Sequence, residues 1–353
     1  MNKILVSLAL SLICLTDSSA MAASPTFSTQ KMTQTKLFDL SFKQVMREFY
    51  NGQMTDALVQ NEDIESMPYI GLGYPKEGQQ TIAIMHPVVH YENIADESRY
   101  LVVIEKVIVD ANTNQLQACH ACNATADIYS FKQLDDGSFQ LVSKKHPDAM
   151  LPNNYGRIQF DSQSFLKGLQ PLGTNLVGSL FTTDDYFSGA TYNYWEALHL
   201  PEDDYINSIT VGDAGSDFGG MYEQDSPLYY KYDVGLRVVY DDSKYYPILL
   251  DLYGDMPFEG DYKRIEPVNS IVGMQYDSAK REYKLFDSLP IKVYNAKYGK
   301  NKAVNSLNYS YDLLSPRDQT IALNIDVIEA RVELALATAE LERAIIEGER
   351  VNY

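Results

Sequence analysis

Basic residues are scarce in this chain. Against 48 Asp and Glu stand only 29 Lys and Arg, giving a formal net charge of −19 over 353 residues. Nucleic acid and anionic membrane surfaces are drawn to basic patches, so neither is an expected partner. Long apolar runs are also missing. The longest, Ile4 to Leu15, has 12 residues, too few to span a bilayer. No transmembrane segment is expected, and after export the chain should be soluble.

Histidine and cysteine are rare as well. Five histidines occur, at positions 86, 90, 120, 146 and 199, and three cysteines, Cys14, Cys119 and Cys122. No His-Glu-x-x-His, phosphate loop or Gly-x-Ser-x-Gly elbow is present. No histidine stands in a recognisable nucleophile–base setting along the sequence. These gaps lower the expectation of an enzyme without removing it, and no cofactor is expected.

What is there begins with an export signal. Lys3 precedes the apolar run, and Ala20-Met-Ala22 offers a small-x-small cleavage site. Residues 1–22 read as a secretory signal peptide, which places the protein in the periplasm or outside the cell. Removal of Cys14 leaves two cysteines in an oxidising compartment.

The remaining chain divides by composition. Residues 23–200 read as an α+β domain carrying a Cys-x-x-Cys knot. Residues 201–312 form an acidic, tyrosine-rich β region, and 313–353 a long C-terminal helix. The fold class expected is α+β, mostly antiparallel sheet with one N-terminal helix and that long final helix. Phe42, Val45, Met46 and Phe49 make an apolar stripe within a helix over Leu37–Tyr50. Gln79–Met85 and Tyr100–Val109 read as paired strands. Asp127–Gln133 and Ser138–Val142 flank Asp136-Gly137, a strong hairpin signal. Met67–Gly78 and Pro147–Leu172 read as irregular. Asn175–Thr182 and Tyr192–Leu198 read as strands around a turn at Asp184–Gly189. Further hairpins are expected around Asp241–Lys244 and Asp277–Arg281. Ser315-Pro316-Arg-Asp318 is a helix start. The helix running from it to about Glu347 carries an apolar band that packs on its own domain or docks on a partner, either a second copy or an unknown envelope protein.

Cys119-His-Ala-Cys122 is the most specific stretch. A structural disulfide is its first reading. A redox dithiol is the second, although the strand-like run that follows lacks the helix N-terminus that lowers a thiol pKa. A metal site with His120 has three donors where structural zinc takes four. A c-type haem site needs His directly after the second cysteine, where Asn123 stands. With the Leu101-Val-Val103 strand, the Phe131 hairpin and Asn154-Tyr-Gly156, this knot resembles a loose group of uncharacterised bacterial exported proteins. The likeness covers about residues 38–250, and it implies no catalytic residue.

From Asp184 to Asp261 the chain holds 17 acidic residues against three basic ones, together with 12 of its 27 tyrosines. Asp213 and Asp217, in a Gly/Asp-rich turn-like run, are candidate cation ligands, or simply turn residues. Trp195, the single tryptophan, is a candidate ligand-stacking ring or a core filler. His86 and His90 would lie roughly 13 Å apart on one strand face, too far to share a metal. Three functional readings stand: a non-enzymatic binding or interaction module with a structural disulfide, a thiol–disulfide redox protein using Cys119 and Cys122, and a carboxylate-based hydrolase in the acidic half.

Overall fold

A computed structural model describes residues 26–258 and 261–285, and the backbone of 290–295 and 302–308. In chain order the elements are α1 (Thr29–Met32), β1 (Lys36–Leu37), α2 (Phe42–Phe49), β2 (Met54–Thr55), α3 (Glu62–Glu65), β3 (Tyr69–Lys76), β4 (Gln79–Met85), β5 (Val89–Glu92), β6 (Ser98–Asp110), β7 (Thr125–Gln133), β8 (Phe139–Lys144), β9 (Asn153–Asn154) and β10 (Arg157–Ile158). There follow α4 (Ser162–Lys167), β11 (Leu169–Gly173), β12 (Leu176–Phe187), β13 (Ala190–Leu200), β14 (Asn207–Asp217), β15 (Lys231–Val238), β16 (Ile248–Phe258), β17 (Asp261–Asp277), β18 (Glu282–Leu285), β19 (Pro290–Asn295) and β20 (Lys302–Asn308).

This corrects the expected α+β class. Among the described residues the fold is antiparallel sheet with four short helices, the longest being the eight residues of α2. The early helix is shorter than its periodicity suggested, because Lys36 and Leu37 pair with Gln140 and Phe139 of β8. The Ser41 hydroxyl then accepts from the Gln44 N–H and caps the helix at Phe42. The long helix expected over 313–353 lies outside the described residues.

The first sheet runs β1-β8-β7-β6-β4-β3-β2. β4 and β5 pair with successive stretches of the same edge of β6, and His86-Pro87-Val88 links them. Both faces of β6 are covered, which accounts for the unbroken apolar run Leu101–Ile104. Val102 and Ile104 pack beneath Val45 and Met46 of α2. Leu101 and Val103 face the opposite way, into a core that also takes Phe165 of α4 and Val177, Phe181, Leu198 and Leu200 of β12 and β13.

The second sheet is an eight-stranded meander, β11 through β18 in order. It curls so that β18 returns to β14, and the Tyr283 hydroxyl lies 3.0 Å from Nε2 of the buried His199 on β13. Leu180, Ala197, Ile209, Leu250 and Val272 fill the space inside the curl. β12 and β13 thus serve two cores at once, one on each face.

Candidate functional site

The disulfide knot is built from β6 outward. After Asp110 the chain reverses, with the Asp110 carboxylate accepting from the N–H groups of Asn112 and Thr113, each at 2.8 Å. Those backbone donors hold its carboxyl below the usual range. The return segment lies against β6, the Gln117 N–H donating to the Ile108 carbonyl. It delivers Cys119, whose sulfur is bonded to that of Cys122, with the Cα atoms 4.9 Å apart. The Cys122 N–H also donates to the Cys119 carbonyl, so one turn is closed twice. β7 follows the knot, as the sequence reading required, and the paired sulfurs are in no state to bind a metal as thiolates.

The knot interlocks with a second turn. β9 and β10 form a hairpin whose tip, Tyr155-Gly156, has φ of 49° and 77°. Such a left-handed pair marks a type I′ turn, which favours Asn-Gly. The Gly156 N–H donates to the Cys122 carbonyl at 2.9 Å, and a Cβ at 156 would sit 2.3 Å from the Gln117 carbonyl oxygen. Only glycine fits there. Beneath the tip, the buried Glu105 carboxylate accepts from Arg157 Nε at 2.8 Å, Arg157 Nη2 at 2.9 Å and the Ile158 N–H at 2.8 Å, with His86 Nε2 3.0 Å away. Burial pushes this carboxyl up, but the His86 and Arg157 donors outweigh it and hold it below the ordinary range. The Gln159 amide bonds both the N–H and the C=O of Asp184, tying the hairpin to β12.

A third turn completes the site. β12 and β13 stay paired to Phe187 and Ala190, and the tip is Ser188-Gly189, again with positive φ at both residues. The Gly220 N–H braces it by donating to the Gly189 carbonyl. These three turns bring together residues 35 and 32 positions apart in sequence. The His120 ring meets Tyr155 edge-on at 5.7 Å between centroids, and stacks on Phe187 at 6.2 Å. His120 Nδ1 is 3.7 Å from Asp185 Oδ1. Tyr155 is 47 % exposed and Phe187 59 % exposed. The result is an aromatic platform facing solvent with a carboxylate at its rim.

The residues singled out from sequence lie elsewhere. Trp195 donates its indole N–H to the Val234 carbonyl at 2.7 Å and packs on the second core. Asp213 is reached by solvent but walled by protein, which raises its carboxyl; Tyr232 Oη is 3.4 Å away. Asp217 is engaged by Lys231 at 3.0 Å and by the Gly219 N–H at 2.8 Å. Burial raises its carboxyl, but these partners outweigh burial and lower it. The two carboxylates are thus bound to different neighbours. Among the described residues no group of three or more His, Cys, Asp or Glu is placed to hold a metal.

The structure also pairs a serine with a histidine that the sequence did not connect. His90 Nε2 lies 3.0 Å from Ser98 Oγ across the β5–β6 hairpin, at the edge of a cleft of about 610 Å³. Among the described residues no carboxylate lies within 4 Å of His90 to orient its ring as a general base. Arg99 in that cleft is occupied by Glu97 and Glu202. The pair reads as a cross-strand hydrogen bond.

No protein-family model, curated protein or solved structure matches this chain. Among the described residues no helix is long and apolar enough to cross a membrane.

Proposed function

We propose that this chain is an exported, non-enzymatic binding module whose ligand-facing surface is the platform of His120, Tyr155 and Phe187. The disulfide and the signal-like residues 1–22 support export. The same likeness to bacterial exported proteins that the Cys-His-Ala-Cys run carries is part of this reading, since its second marker, Asn154-Tyr-Gly156, touches the knot through the Gly156–Cys122 hydrogen bond.

One observation carries the binding claim. Tyr155 occupies left-handed backbone, which costs a non-glycine residue of order 1–3 kcal/mol, yet its ring is only half-buried. A bulky aromatic in that place is a cost to the fold. Asn tolerates this conformation far better. Tyr155→Asn should therefore keep or raise the urea midpoint while abolishing saturable binding to the native envelope fraction, as should Phe187→Ala without the gain in stability. Tyr74→Ala, at a largely exposed tyrosine on β3, should change neither. If Tyr155→Asn unfolds the protein, or leaves envelope binding intact, the platform is not the binding surface.

A further inference from the structure

Resting on that reading, we infer that the platform recognises a cation, specifically the guanidinium or ammonium side chains of a basic polypeptide segment. Three observations lead there. The first is charge. Asp185 borders the rings, and the stretch beginning at Asp184 is the most acidic part of a chain of net charge −19. A cation placed over a ring face is attracted by the ring quadrupole, and guanidinium also stacks on it.

The second is the state of the local hydrogen-bonding groups. Neutral sugars also lie on aromatic rings, but their hydroxyls need fixed donors, such as amides, as well as acceptors. Here the nearby amides are committed. Gln159 makes two bonds to the backbone of Asp184, and the Asn154 side chain lies 3.5 Å from the Asp184 carbonyl. Asp185 Oδ1 accepts from the Tyr186 N–H at 2.8 Å. Its Oδ2 makes no hydrogen bond among the described residues. What the rim offers a ligand is negative charge.

The third is that cations of this chain do sit over aromatic rings elsewhere in the fold. Arg264 lies over Phe258 at 3.8 Å, Lys244 over Tyr245 at 5.4 Å and Arg281 over Tyr205 at 6.0 Å. The chain covers those rings with its few cations. Among the described residues no cation lies over Tyr155 or Phe187, so their exposed surface is open to a cation from outside.

The test uses the full-length chain and three fluorescent hexapeptides, of arginine, lysine and citrulline, the last a neutral isostere of arginine. Anisotropy titrations at physiological salt should show the arginine peptide binding at least tenfold more tightly than the citrulline one, with the lysine peptide between them. Tyr155→Ala, Phe187→Ala and Asp185→Asn should each weaken the arginine peptide at least fivefold. Asp135→Asn removes an equal charge at the far end of β7 and should change it less than twofold. Equal losses in Asp185→Asn and Asp135→Asn would reduce the effect to general attraction and overturn the inference. So would citrulline binding as well as arginine. If citrulline binds equally while the Tyr155 and Phe187 variants still lose the envelope fraction, the platform stands and only its cation preference falls. If the envelope fraction is also unaffected, both fall.

Discussion

Two buried glutamates show how neighbours decide what a carboxyl does. Glu105 is wholly buried but ringed by donors, so its charge is the favoured form. Glu196 on β13 is 4 % exposed, and among the described residues only the Thr210 hydroxyl donates to it, at 2.9 Å. Burial outweighs that one bond and pushes its carboxyl up to about 7. An acid whose pKa rises on folding holds a proton that the unfolded chain has released. Between the ordinary value of 4.5 and about 7 the native state therefore binds more protons, and stability falls as pH rises. At 1.36 kcal/mol per pH unit the loss across that window is roughly 3 kcal/mol. Urea unfolding of the wild type at pH 5 and pH 7.5 should show this decline, and Glu196→Gln should remove most of it. An identical pH slope in the variant would assign the decline to other groups. Neither glutamate stands out in the sequence, because a lone acid within a strand gives no sign of whether a partner lies across the core.

At the level of elements, local chemistry was readable and long-range pairing was not. Asp136-Gly137 marked its hairpin, and the flanking strands appear at Thr125–Gln133 and Phe139–Lys144. The expected pairing of residues 79–85 with the strand from Tyr100 holds, with Gln79 opposite Asp110. β3 was missed because Gly71, Gly73 and Pro75 look like loop chemistry. Yet Gly71 lies inside the sheet, where a Cβ would crowd the Gln80 amide and the Thr55 hydroxyl at 2.7 Å. Asp184 and Asp185 read as a turn, since acids are depleted in strands, but they continue β12 opposite Asn193 and Tyr192. The platform escaped notice for the same reason: His120, Tyr155 and Phe187 sit on three separate turns, and periodicity reports only what is near in sequence. The knot has a stability consequence of its own scale. For a loop of about four residues the chain-entropy model gives roughly 2 kcal/mol, and the Cys122–Cys119 backbone bond involves neither sulfur. Replacing both cysteines by serine should lower the unfolding free energy by about 2 kcal/mol and leave the rest of the fold intact. A loss above about 5 kcal/mol would mean that the bridge supports far more than one turn.

The whole molecule turns on β12 and β13. The compositional boundary near residue 200 falls between β13 and β14, which are hydrogen-bonded neighbours from Thr191–Asp217 to His199–Asn207. Val177, Phe181, Leu198 and Leu200 on this hairpin belong to the core shared with the first sheet, while Leu176, Leu180 and Ala197 belong to the core inside the curled second sheet. A chain cut after Leu200 would take Ile206 and Tyr205 out of the cores on the first sheet and expose the second set, along with an unpaired edge of β13. The remainder, from Pro201 onward, would lose one wall of its own core and the ring of His199, which stacks on Tyr245 and meets Tyr276 edge-on at 4.8 Å. Composition changes along the chain, but burial is shared across the change. Fragments 23–200 and 201–353 should therefore each lack a cooperative thermal transition, whereas the full chain should melt as one unit by circular dichroism and calorimetry. A sharp transition in the isolated 23–200 fragment would show that the first core closes without the second, and that the two faces of this hairpin are not energetically coupled.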